Sequence, residues 1–181
     1  LFFVGCIGSY KNQWYSNFDP WSVAAESYYA DLNEMDHTHH GFANARDYVY
    51  MKLEDYVIEK NIDTSDAIIL FTGHSRGSAT INLLAAKLID NNVEDKLNFD
   101  ANNIYSYGFA TPNTTLTING TMFNKYNSII NIVNPEDLVT KLLPTDWGYS
   151  RYGITYTLPS KTNVTKSYYN NILKKVQKYT V

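Results

Sequence analysis

At 181 residues, with 44% of them hydrophobic, the chain is long enough for one domain with a sizeable core and too apolar to stay disordered. Its formal charge of −3 and pI near 5.8 give no electrostatic footprint for nucleic acid or for an anionic membrane surface. The single cysteine, Cys6, excludes an internal disulfide framework and sits in an apolar run, where it reads as a small buried hydrophobe. No apolar stretch approaches the roughly 18 residues that span a bilayer. No signal peptide is visible, but the chain opens at Leu1-Phe2-Phe3-Val4 without an initiator Met. It reads as one domain over 1–181, a partial chain incomplete at both termini, with any targeting segment upstream.

Residues 1–8 (LFFVGCIG) predict a central strand, apolar on both faces as a parallel sheet requires. A polar loop follows, and Asp19-Pro20 opens a helix over Trp21 to about Asp36, because an acidic cap and a proline favour the first turn. His37, His39 and His40 lack the helical spacing and the carboxylate partner of a zinc site, so they read as structural and no metal is expected. A long helix over Phe42–Lys60 carries Phe42, Ala45, Val49, Leu53, Tyr56 and Val57 along one stripe.

Ala67–Thr72 predicts the next strand, and a helix with Ala79, Leu83, Ala86 and Ile89 at core spacing follows it. Ile104–Phe109, stopped by Thr111-Pro112, predicts a third strand and Ile129–Val133 a fourth. Ile154–Leu158 alternates like a short edge strand. A last amphipathic helix turns Tyr169, Ile172, Leu173, Val176 and Tyr179 inward. Strands alternating with helices predict an α/β fold, a mainly parallel sheet with helices on both faces. The sequons at Asn113, Asn119 and Asn163 reflect an Asn-rich composition rather than glycosylation.

The chemistry concentrates in Gly73-His74-Ser75-Arg76-Gly77, placed between a strand and a helix. In that context Gly-x-Ser-x-Gly is a nucleophile elbow: the glycines permit a tight turn that exposes the serine Oγ at a helix N-terminus. A serine needs a base to take its proton and an acid to orient that base. Asp137 follows a buried strand and comes after Ser75, as the Ser…Asp…His order of such folds requires, with Glu136 as its neighbour and competitor. The oxyanion would be held by the backbone N–H of Arg76 and by Ser9, which offers both an N–H and a hydroxyl. Gly8-Ser9, Ser75 and Asp137 all fall at strand ends, where open α/β sheets collect their functional groups. The base is missing. No histidine follows His74, which is expected to pack beneath the elbow, and the earlier histidines stand in the wrong order. Residues 1–181 alone are therefore expected to be inactive unless a histidine from outside them completes the site.

Several motifs in register carry a resemblance. Gly73–Gly77, His39-His40-Gly41-Phe42, Tyr107-Gly108-Phe109-Ala110-Thr111-Pro112, Asp137-Leu138-Val139 with Leu143-Pro144, and Gly8-Ser9…Trp14 together resemble the class 3 lipases, the fungal-lipase-like branch of the α/β-hydrolases. In Ser-Arg-Gly and Asn-Pro-Glu-Asp the chain looks most like bacterial members. The resemblance covers about residues 3–158. It implies hydrolysis of acylglycerol-type or other lipid esters through an acyl-enzyme, without a cofactor, and a catalytic histidine well downstream of Asp137. It also implies a lid drawn from Tyr15 to Asp36, transient contact with a lipid interface and a secreted or cell-surface location. Ile7 departs from the family's arginine before Gly8. The alternative reading is a non-catalytic binding or scaffold domain that retains the hydrolase fold, since fold does not fix function. Oligomeric state is not legible.

Overall fold

A computed structural model describes residues 2–4, 40–90, 97–116 and 124–160. In chain order its main elements are β1 (Phe2–Val4), α1 (His40–Glu59), β2 (Ile69–His74), α2 (Arg76–Asp90), β3 (Ile104–Phe109), β4 (Thr115–Leu116), β5 (Ile129–Val133), β6 (Tyr149–Ser150) and β7 (Ile154–Thr157). Strands β1-β2-β3-β5-β7 form one five-stranded sheet in that order, parallel throughout, while β4 and β6 make a small antiparallel pair. Parallel neighbours bring the carboxyl ends of β2, β3 and β5 to one edge, where the candidate residues Ser75 and Asp137 lie.

One face of the sheet is dry. Ile69, Phe71 and Gly73 of β2, Ile104, Ser106 and Gly108 of β3, and Ile129, Asn131 and Val133 of β5 are buried. Register lines them up in rows: Phe71 beside Ser106 and Ser106 beside Ile129, then Gly73 beside Gly108 and Gly108 beside Asn131. Helix α2 packs over β1, β2 and β3, and α1 packs on α2. Every residue of α2 from Gly77 to Ile89 is buried except Lys87. That helix is therefore enclosed nearly all round, and the stripe read from Ala79, Leu83, Ala86 and Ile89 is only part of its buried surface.

Several expectations shift. The elbow strand runs Ile69–His74 rather than Ala67–Thr72, because pairing with β3 continues from Ile69 beside Ile104 to His74 beside Phe109. Along α1, Tyr56 is exposed, whereas Arg46 is buried and Tyr50 packs on the core with Val49 and Val57. The observed stripe is thus 42, 46, 49, 50, 53, 57, a cleaner helical row than the one that includes Tyr56. β3 and β5 match the expected ranges. β7 is an edge strand as expected, but all four of its residues are exposed, so burial does not alternate along it. Among the described residues β1 pairs only with β2 and stands at an edge, not in the centre.

The opposite face of the sheet presents Tyr105, Tyr107 and Phe109, all exposed. The helices expected over 21–36 and 169–179 lie outside the described residues, as do Cys6, Asn119 and Asn163. Asn113, the one described sequon asparagine, is 3% exposed and hydrogen-bonded, which removes it as a glycosylation acceptor. Among the described residues no helix is long and apolar enough to cross a membrane.

Candidate active site

The site is built on the junction of β2 and α2. Ser75 leaves the strand with φ +56°, in the left-handed region that a residue with a Cβ adopts at a cost of about 1–3 kcal/mol. Three backbone hydrogen bonds hold it there. Its N–H donates to Phe109 O at 2.9 Å, and its carbonyl accepts from the N–H groups of Ser78 at 2.9 Å and Ala79 at 3.1 Å. The Ser78 hydroxyl donates to the same carbonyl.

The flanking glycines are required by approach distance. A Cβ on Gly73 would lie 2.8 Å from the carbonyl carbon and oxygen of Gly77, and one on Gly108 would meet Thr111 Oγ1 at 2.5 Å and Ser78 Cβ at 3.2 Å. The first turn of α2 thus rests directly on the sheet at Gly73 and Gly108, which aims its N-terminal amides past Ser75 toward the strand ends.

Ser75 is half-buried. Arg76 is the first residue of α2, so its N–H belongs to the first turn whose amides point out of the helix, as an oxyanion donor must. Its side chain runs back to α1, where Nη2 donates to Gly41 O at 3.4 Å beside the buried Phe42. His74 is exposed at the tip of β2 and does not pack beneath the elbow, because the alternation of the strand turns it to the face opposite Gly73.

Asp137 lies in the loop after β5, two strands from Ser75 at the same edge of the sheet. It is half-buried while Glu136 is exposed. Asp137 N donates to Asn134 O at 3.1 Å and Asp137 Oδ1 accepts from Val139 N at 2.9 Å. The Thr140 hydroxyl bonds Asp137 O at 2.8 Å and Asn134 O at 3.2 Å. For Glu136 it is the backbone N–H that bonds Asn134 Oδ1 at 3.0 Å. Ser9, the other proposed oxyanion donor, the 15–36 segment, and His37 and His39 lie outside the described residues. Among those described, no group of three or more acidic, histidine or cysteine side chains could hold a metal ion.

A buried polar network that the motifs do not announce lies under the site. Asn82 Nδ2 donates to Asn131 Oδ1 at 3.1 Å and Tyr152 O at 2.9 Å, while Asn82 Oδ1 accepts from Thr114 Oγ1 at 2.8 Å and Tyr152 N at 3.1 Å. Asn131 Nδ2 also donates to Tyr152 O, at 2.8 Å. Both amides are about 1% exposed. Their signal in the sequence is polarity where the pattern demands an apolar residue: Asn82 within Ile81–Leu84, and Asn131 within Ile129–Val133.

With this geometry in hand, the chain can be placed among known proteins. The class 3 lipase family model matches residues 4–147.

The chain belongs to the class 3 lipase family.

Solved structures agree on the fold. A fungal lipase–inhibitor complex matches at 21% identity and TM-score 0.59, over 82% of this chain and 53% of that one. The Rhizomucor miehei triacylglyceride lipase matches at 22% identity and TM-score 0.53, over 82% and 62%. A triacylglycerol lipase whose catalytic centre is a serine protease triad matches at 20% identity and TM-score 0.53, over 76% and 54%. At this identity the likeness shows the α/β-hydrolase fold. No curated protein is significantly similar to the chain. The chain spans about half the length of the lipases it matches.

Proposed function

We propose that this class 3 lipase chain is the nucleophile- and acid-bearing part of a serine carboxylic ester hydrolase acting on lipid esters of the acylglycerol type. The observation that carries the proposal is Ser75 itself, a non-glycine residue at φ +56° between a parallel strand and the N-terminus of a buried helix. Strain of this kind persists only where the surroundings over-determine it, and here it lifts a hydroxyl clear of the sheet.

In the mechanism, Ser75 Oγ attacks the ester carbonyl as a base takes its proton. The oxyanion that forms is met by the Arg76 N–H and by a donor from the Ser9 loop, and collapse expels the alcohol, which takes a proton from the conjugate acid of the base. Water then repeats the sequence on the acyl-enzyme and releases the fatty acid. Asp137 orients the base and stabilises its cationic form. That base is a histidine supplied from outside residues 1–181, since none follows His74 within them. Burial favours Asp137 over the exposed Glu136.

The test is covalent. Full-length protein treated with a fluorophosphonate is expected to carry the label on Ser75, and Ser75→Ala is expected to abolish both the label and p-nitrophenyl ester hydrolysis. Hydrolysis of long- against short-chain esters then ranks lipase against general esterase activity. A full-length protein that takes no label and turns over no ester would favour a scaffold domain that keeps the fold.

A further inference from the structure

Nothing in the triad chemistry calls for Arg151, yet four hydrogen bonds hold its guanidinium. It follows β6 and is half-buried. Its Nε and Nη2 donate to Asn113 Oδ1 at 3.1 and 2.8 Å, Nη1 donates to Thr111 O, and Nη2 also donates to Thr140 O at 3.0 Å. The acceptors that hold it are neutral oxygens, and burial lowers its pKa to about 10, still well above neutral pH. A half-buried cation held only by neutral oxygens gives up part of its hydration with no counter-charge, so its geometry invites a functional explanation.

The three partners belong to the two loops that matter. Thr111 and Asn113 follow β3, whose last carbonyl, Phe109 O, accepts from Ser75 N. Thr140 closes the loop that bears Asp137, bonding Asp137 O through its hydroxyl. Asn113 adds a second tie, donating from Nδ2 to Leu143 O at 2.7 Å. Leu143 itself sits at φ +58° with its side chain buried, so the end of the acid loop is held in a strained conformation. On the other side, the neighbouring Tyr152 N donates to Asn82 Oδ1 of α2, the helix that carries the elbow. A continuous path of hydrogen bonds and backbone therefore runs from α2 through Tyr152 and Arg151 to Thr140 and Asp137.

We propose that Arg151 is a positioning residue for the acid, a half-buried guanidinium that latches the Asn134–Leu143 loop, and Asp137 with it, in fixed relation to the Ser75 elbow. The proposal rests on the reading of Ser75 and Asp137 given above. Arginine suits the task because its planar fork serves acceptors on separate segments at once, whereas a lysine ammonium is a point charge on a flexible stem.

The experiment uses full-length wild type, Arg151→Ala and Arg151→Lys, with amide hydrogen exchange followed by mass spectrometry and with ester hydrolysis. In Arg151→Ala, peptides covering 134–143 should exchange at least about tenfold faster, while those covering β2 and α2 keep wild-type rates. kcat should fall by about 10²-fold with KM little changed, because a displaced acid weakens the transition state more than substrate binding. Arg151→Lys should keep the charge but recover little of either property. Wild-type exchange over 134–143 in Arg151→Ala, or an unchanged kcat, would overturn the latch. If Arg151→Ala loosens β2 and α2 as well, Arg151→Lys decides: loss confined to the loop supports the latch, and loss throughout overturns it. Failure of the underlying site reading is separately visible as a wild-type protein that takes no fluorophosphonate label, since exchange over 134–143 does not depend on turnover.

Discussion

The elbow at Ser75 and the loop that carries Asp137, which we propose serve one reaction, are held by different physics. Around Ser75 the restraint is apolar and steric: α2 is buried from Gly77 to Ile89 apart from Lys87, and its first turn rests on Gly73 and Gly108 with no room for a methyl group. Around Asp137 the restraint is polar, with Thr140, Asn113 and Arg151 fastening a loop that buries Thr140 and Leu143 but leaves Leu138 exposed. Close packing tolerates little displacement and is hard to loosen locally. A hydrogen-bonded loop can be released at one point while the rest of the domain stays folded. The proposed nucleophile is thus set by the fold as a whole, and the proposed acid by a few side chains.

The sharpest way to break this contrast is from the apolar side. Leu84, fully buried in α2, is expected to cost about 3–5 kcal/mol when replaced by alanine. The loss should appear as a lower urea midpoint for the whole domain, with β2, α2 and the acid loop unfolding together. A variant that loosened only the loop would show that α2 does not anchor the sheet.

The next effect in size tests the bridge between the regions. Asn131→Leu removes a partner of Asn82 Nδ2 and a donor to Tyr152 O, and Asn82→Leu removes bonds to Asn131, Thr114 and Tyr152. Each should cost about 1–3 kcal/mol, the price of stranding buried polar groups. The double variant should cost less than the two together, because each removes the other's unsatisfied partner; urea titrations of the four proteins measure that coupling. Strict additivity would mean that the two amides do not act as one unit.

The smallest effect has the opposite sign. Ser106 is 1% exposed, and its Oγ has no hydrogen-bond partner among the described residues. Ser106→Ala should therefore leave stability within about 0.5 kcal/mol or raise it by up to about 1 kcal/mol. A loss above that range would mean that the β3 row under α2 is polar by necessity. Thermal and urea midpoints of the one variant settle the sign.

Local pattern determined much of this protein. The two central strands Ile104–Phe109 and Ile129–Val133, the long α1, and the elbow at Gly73–Gly77 are all legible because periodicity and turn chemistry act over a few neighbouring residues. The order of the motifs also indicated the class 3 lipase family. His74 departs from the expected packing for a local reason as well: the strand runs on to residue 74, and its alternation turns that ring outward.

Other features needed tertiary structure. That Tyr50 rather than Tyr56 faces the core depends on where α2 lies against α1. That Asp137 is half-buried while the adjacent Glu136 is exposed depends on how the loop after β5 folds. Arg151, Asn113 and Thr140 are scattered polar residues in the chain, and each is unremarkable beside its sequence neighbours. Only the parallel order β2-β3-β5 brings their loops to one edge, where a single guanidinium can reach both. Sequence patterning encodes what a segment does alone, and long-range hydrogen bonds are decided by which segments the sheet makes neighbours.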